Sequence, residues 1–220
     1  MTKLPKRLAV FDCDGTLVDG QAEVCTAMEA AFAACALPAP DHHAVRRIVG
    51  LSLPQAITRL LPDPDDATIA ALDLAYRDAF RERRARGELA EPLYDGIEGL
   101  LRGLHAEGWD LAVATGKSDR GLAHCLANHG IAPLFVSLQT ADRHPSKPHP
   151  AMLDAAMADA GAAANDTVMI GDTVYDIAMA RAANVRAVGV AWGYHDAAEL
   201  LAAGADAVAH DPAHLAELLR

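Results

Sequence analysis

The sequence predicts an α/β protein: a doubly wound parallel sheet with an all-helical block inserted after its first strand. Three observations predict this. From about Tyr94 onward, short apolar runs alternate with helix-length segments, the pattern of a parallel sheet covered on both faces. One further apolar run, Leu8 to Phe11, stands alone near the start of the chain. Between them, residues 18–91 carry helical spacing and no strand signal. The first strand therefore belongs with the later ones. The expected division is a core of residues 1–17 and 92–220 and a helical cap of residues 18–91.

Each element has its own local reason. Leu8 to Phe11 has the length and the β-branched or aromatic content of a buried strand, and it ends abruptly at Asp12. Residues 20–36 form a helix, with Val24, Ala27, Met28, Ala31 and Phe32 at helical spacing and two prolines, Pro38 and Pro40, as its stop. Asp41 caps a second helix through Val49. Ser52 caps a third, with Pro54 in its first turn, which runs to Leu60 before Pro62 and Pro64 break it. Residues 65–86 make a long amphipathic helix. Its arginine-rich end suits a helix C-terminus, and Gly87 closes it. In the core, helices are expected at 95–107, 119–129, 148–160, 175–183, 197–203 and 213–219, and strands at 110–114, 134–138, 167–170, 187–191 and 207–209.

Composition narrows the function classes. Hydrophobic residues make up 52% of the 220 and charged residues 22%, which points to a globular chain with a sizeable core. A formal charge of −11 argues against a nucleic-acid binder, which needs a basic face, but leaves room for a small anionic substrate. Cys13, Cys25, Cys35 and Cys125 form no Cys-x-x-Cys pair and read as reduced thiols. The basic start is followed by too short an apolar run for a signal peptide, and no run reaches membrane-spanning length. A cytoplasmic protein is expected, without a membrane partner, as a monomer or homodimer.

Four core strands end in chemistry-bearing residues. After the first come Asp12 and Asp14, then Gly15 and Thr16, where open α/β sheets place their ligands. Two carboxylates so close repel, and a cation or a shared proton relieves them; hard oxygen ligands suit Mg²⁺. An ordinary Asp-Gly turn is the plainer reading. The second strand runs into Thr115, Gly116, Lys117 and Ser118, a hydroxyl and free backbone N–H groups that make a phosphate seat or simply cap the next helix. Lys147, flanked by Pro145 and Pro148, is either a phosphate partner that also reaches Asp12 or a solvated loop lysine. The fourth ends in Gly171 and Asp172, with Asp176 four residues on as a second carboxylate at the same rim or a first-turn helix acid.

Taken in order, Asp-x-Asp-Gly-Thr, Thr-Gly, Lys-Pro and Gly-Asp-x-x-x-Asp make the chain resemble the haloacid dehalogenase superfamily, in the branch of phosphatases similar to phosphoglycolate phosphatase. The match covers essentially the whole chain. The resemblance implies a Rossmann-like core with a helical cap and a Mg²⁺-dependent phosphatase acting on a small phosphorylated metabolite, such as a phosphoglycolate-like compound or a sugar phosphate. Asp12 would be the nucleophile that becomes an aspartyl-phosphate. Asp14 would be the general acid and then the base. Thr115, with Gly116, and Lys147 would hold the phosphoryl oxygens. Asp172 would bind the metal with the Asp12 carboxylate and the Asp14 backbone carbonyl, supported by Asp176. Two positions depart from the family pattern: Gly20, where many relatives have serine, and Cys13, where an aliphatic residue is more usual.

In such enzymes the cap selects the organic part of the substrate. Arg46 or Arg47 would pair with a substrate carboxylate or second phosphate, unless they are ordinary exposed helix arginines. Gly50 and Ser52 would form a turn able to dip toward the core. The ten histidines show no zinc pattern. The alternatives are a phosphomutase of the β-phosphoglucomutase type, against which Thr16 speaks, and a non-catalytic regulatory member of the same fold. The presence of Asp12, Asp14, Lys147 and Asp172 together argues against the latter.

Overall fold

The computed structural model describes residues 6–220. Residues 1–5 of the basic start, read above as too weak for a signal peptide, lie outside the described residues. Strand β1, Leu8–Phe11, is buried along its whole length because it sits mid-sheet with a layer on each face. It pairs in parallel with β2, Asp110–Thr115, on one side and β4, Thr167–Gly171, on the other. Adding β3 (Phe135–Thr140), β5 (Arg186–Val190) and β6 (Ala207–Ala209), the order is β3-β2-β1-β4-β5-β6, all parallel. The chain thus winds outward both ways from β1, and the crevice between the ends of β1 and β4 is the switch point where such sheets bind ligands.

Alternation along β1 supplies both faces. Ala9 and Phe11 join one core with α5 (Ile97–Ala106), α6 (Asp119–Asn128) and α10 (Pro212–Leu218). Leu8 and Val10 join a second with α7 (Ala151–Ala160), α8 (Val174–Ala182) and α9 (Ala197–Ala202). A strand buried on both faces must be apolar throughout, which is why β1 lacks the polar alternation of a half-exposed strand.

The inserted helices are α1 (Gln21–Ala34), α2 (His42–Arg47), α3 (Leu53–Leu60) and α4 (Asp66–Ala85). They bury a third core around Met28, Phe32, Val45, Ile57 and Leu72, against which Tyr175 and Tyr194 pack from the sheet side. Asp41 and Asp65 cap α2 and α4 by accepting from the N–H groups of Ala44 (2.9 Å) and Thr68 (2.8 Å). Ser52 holds the N-cap position of α3, but its side chain makes no capping bond; its N–H donates instead to Ser146 Oγ at 2.7 Å, tying the block to the sheet.

Two expectations shift. The helix expected from Pro148 begins at Ala151, because a turn closed by His149 N–H to Ser146 O (3.0 Å) precedes it. The 18–91 block is not free of extended chain: Val18 forms single bridges to Asp14 and Leu93, so the two connections to the sheet run side by side. Among the described residues no helix is long and apolar enough to cross a membrane, and all four cysteines are free.

Candidate active site

Asp12 follows β1 directly and is fully buried. Its Oδ1 accepts from the Cys13 N–H (2.7 Å) and lies 2.9 Å from Lys147 Nζ. Its Oδ2 is buried with no partner. Lys147 is also fully buried, and its ammonium reaches Asp176 Oδ1 at 2.6 Å. Burial alone would lower the Lys147 pKa; Asp12 and Asp176 outweigh it and hold the group above the ordinary lysine range. The plainer reading of Lys147 as a solvated loop residue is therefore excluded.

Asp172, just past β4, accepts from the Thr16 hydroxyl (2.8 Å) and the Tyr194 N–H (2.9 Å). Asp176 accepts through Oδ2 from the Thr173 hydroxyl (2.7 Å) and N–H (3.1 Å), completing a capping box on α8. It is thus both a helix-terminus acid and a member of the rim.

Carboxylate oxygens of Asp12, Asp172 and Asp176 lie within 4.8 Å of one another, all buried. Three carboxylates against one ammonium is a charge imbalance that burial makes costly. Burial pushes the Asp12 carboxyl up to about 7 even though Lys147 opposes this. Burial, then repulsion from Asp12 and Asp176, pushes Asp172 well up. An all-oxygen cluster with one orphaned buried oxygen and excess negative charge fits a hard divalent cation. The Asp14 side chain is not part of this cluster. Its Oδ1 sits 2.7 Å from Lys117 Nζ, which also reaches Glu91 at 2.6 Å.

Thr115 closes β2, buried, and its hydroxyl oxygen accepts from the Lys117 N–H at 3.2 Å. Ser118 takes the capping role, accepting from the Gly121 N–H at 3.1 Å, so Thr115 is not the cap of α6. Gly116 touches the inserted helices: a Cβ there would lie 2.5 Å from the Leu51 carbonyl oxygen and 2.9 Å from that of Gly50. Gly50 therefore does dip to the core. Asp12, Asp14, Thr115 and Gly116 open with Gly50 and Leu51 onto one cavity of ≈ 300 Å³.

Arg46 and Arg47, expected to face a substrate, do not line this cavity. Arg47 makes a bidentate pair with Glu199 (2.7 and 2.8 Å), bracing α2 against α9. With the Gln21 amide turned so that its oxygen faces the guanidinium, Arg46 donates to it at 2.7 and 2.9 Å. The cations that do line the cavity are Lys117, Arg77, Arg81, Arg84 and Arg120. Sequence reasoning missed them. Lys117 stands inside the Thr-Gly stretch, but its partners are 103 and 26 residues away. The α4 arginines read as helix-end charges, and only the contact of α4 with the core sets them at the cavity.

A family model described as haloacid dehalogenase-like hydrolase matches residues 6–184. The chain is 37% identical to a probable phosphatase, IndB, of Dickeya dadantii over 204 residues, 90% of this chain and 86% of that protein. It is 30% identical to a phosphoglycolate phosphatase of Vibrio parahaemolyticus over all of this chain and 98% of that one. Among solved structures, a predicted phosphatase from Clostridium acetobutylicum superposes with a TM-score of 0.88 at 27% identity, covering 98% of both chains. With the four strand-end motifs converging as they do, this chain belongs to the haloacid dehalogenase-like hydrolases, on their phosphatase branch.

Proposed function

We propose that the chain is a Mg²⁺-dependent phosphatase that hydrolyses a small phosphomonoester, phosphoglycolate-like or a sugar phosphate, through an aspartyl-phosphate on Asp12. The observation that carries this is the Asp12 carboxylate: one oxygen is fixed by Lys147 and the Cys13 N–H, and the other is buried without a partner. The phosphatase names of two relatives support it.

In this reading Asp12 Oδ2 attacks phosphorus while Lys147, the Thr115 hydroxyl and the Gly116 N–H hold the phosphoryl oxygens. As the Oδ2–P bond forms, the P–O bond to the leaving group breaks and Asp14 protonates the departing oxygen. Water then attacks phosphorus, Asp14 takes its proton, and orthophosphate leaves the regenerated Asp12 carboxylate. Asp12, Asp172 and the Asp14 main-chain carbonyl would hold Mg²⁺, with Asp176 behind them. When bound, the metal supplies positive charge that offsets the phosphoryl oxygens. Residues 18–91 act as the cap and residues 1–17 and 92–220 as the catalytic core. Gly50 and Leu51 exclude water over the Thr115–Gly116 turn.

The test is phosphate release from a panel that includes 2-phosphoglycolate, sugar phosphates and p-nitrophenyl phosphate, with Mg²⁺ or with EDTA. Release is expected only with the metal, and Asp12→Asn should lower it on the order of a thousandfold or more. Undiminished release by Asp12→Asn would overturn the assignment of the nucleophile.

A further inference from the structure

The cavity holds two arginines that the reaction above does not use. Arg84 enters it from the last turn of α4 in the cap, and Arg120 from the first turn of α6 in the core. Among the described residues neither side chain makes an ion pair or a hydrogen bond; Arg84 Nε is buried without a partner, and Arg120 is exposed. Their neighbours along α4 are all satisfied: Arg77 by Asp73 and Asp142, Arg81 by Asp78, Arg83 by Glu23. The chain carries 30 acidic residues against 19 basic ones, so carboxylates are not scarce.

The acids that face the cavity are committed elsewhere. Asp142 accepts from Arg77 (3.2 Å) and from the Asp119 N–H (2.9 Å). Asp14 and Glu91 share Lys117. Burial, and then the charge of Arg120, pull Arg84 below the ordinary arginine range, and the charge of Glu91 only partly offsets this. Two like charges that line one cavity from separate layers, neither paired with a carboxylate, leave a place for the anionic group of a ligand. Guanidinium forks match carboxylate and phosphate oxygens in pairs. Met28, Tyr76 and Phe80 on the same cavity wall offer apolar contact for an organic body.

We propose that Arg84 and Arg120 form an anion subsite, one half on the cap and one on the core, which recognises a second acidic group of the substrate beyond the transferred phosphoryl group. That group is a carboxylate or a second phosphate. The inference rests on the phosphatase reading for what occupies the other end of the cavity. Because the two arginines belong to different layers, the same acidic group also draws the cap onto the core.

The test is calorimetric binding to the Mg²⁺-loaded Asp12→Asn protein, which reads affinity without turnover. 3-Phosphoglycerate is set against glycerol 3-phosphate for the carboxylate, and fructose 1,6-bisphosphate against fructose 6-phosphate for the phosphate. In at least one pair the acid-bearing member should bind about tenfold or more tightly, and Arg84→Gln or Arg120→Gln should each reduce that ratio about tenfold. The pair that responds names the acid. Neither variant should melt below the parent, since neither arginine loses a protein partner. No preference in either pair, a preference that survives both substitutions, or a lowered melting temperature would overturn the subsite. Turnover of p-nitrophenyl phosphate by the unmodified enzyme is read separately: its absence would strike the phosphatase reading and leave the binding ratios standing.

Discussion

Lys117 carries more of the site than its place in the chain suggests. Its ammonium is the shared counter-charge of Asp14 and Glu91, and all three side chains are 7–11% exposed. Burial alone would lower the Lys117 pKa; the two carboxylates outweigh it and hold the group well above its ordinary value. Removing the charge strands two acids out of water, a change that typically costs about 3–5 kcal/mol. Lys117→Met should lower the urea-unfolding free energy by about that amount, and adding Glu91→Gln should recover part of it. An unchanged midpoint would mean that the triad is solvated. Gly20 belongs to the same arrangement. A Cβ there would lie 2.7 Å from Asp14 Oδ1, so the missing side chain makes room for Asp14 beside Lys117. Asp12, Asp14 and Asp172 were legible because each comes close after an apolar strand, and strand ends in such sheets face one crevice, whereas Lys147 was legible from the prolines around it. Glu91, Arg84 and Arg120 were not, because their meaning lies in partners, or the want of them, across the fold.

Between elements, one group of polar contacts joins the inserted helices to α8 and α9 through residues that do not line the cavity. Arg47 on α2 pairs with Glu199 on α9, its carbonyl accepts from the Tyr175 hydroxyl (3.1 Å), and His195 lies 3.3 Å from the same carbonyl. The Val174 N–H donates to His195 Nδ1 at 3.3 Å, which fixes a neutral ring whose Nε2–H faces Arg47. Burial first, then Arg47, draw His195 below its ordinary 6.5, whereas the hydrogen bond from Arg47 draws Glu199 to about 2. Both signs run the same way. The unfolded chain protonates His195 below 6.5 while the fold resists, so this stability is full above 6.5 and lost as pH falls through the folded value. The Glu199 contribution is full above 4.5 and lost only toward 2. Asp12, held up to about 7 by burial, works the other way in this window, so the His195 share is read by difference. Between pH 7 and 5 the urea stability of the parent should fall relative to that of His195→Asn, and parallel curves would rule out His195 as a titrating group. The helices themselves were readable from spacing and caps, as Asp41 and Asp65 show. Their contacts with the core were not, since Arg47 and Glu199 are 152 residues apart and an exposed helix arginine looks alike with or without a partner.

Across the whole molecule the charge is distributed against its own sum. The chain carries a formal −11, yet its cavity gathers Lys117, Arg77, Arg81, Arg84 and Arg120, while the buried cluster of Asp12, Asp172 and Asp176 meets it through Asp12. A negative cluster beside a positive wall is a poor arrangement for an empty protein and a good one for a cation next to an anion. That crowding of carboxylates limits stability, and a bound cation would relieve it. A ligand present at a hundred times its Kd adds about 2.7 kcal/mol, and chains of this size shift by roughly 2–4 °C per kcal/mol. Mg²⁺ at that excess should raise the melting temperature by about 5–10 °C over EDTA. Asp172→Asn should lose most of that rise, because it removes both a ligand and part of the repulsion that the metal relieves. A rise of equal size in the variant would place the cation elsewhere and leave the crowding of Asp12, Asp172 and Asp176 to be relieved by a shared proton instead.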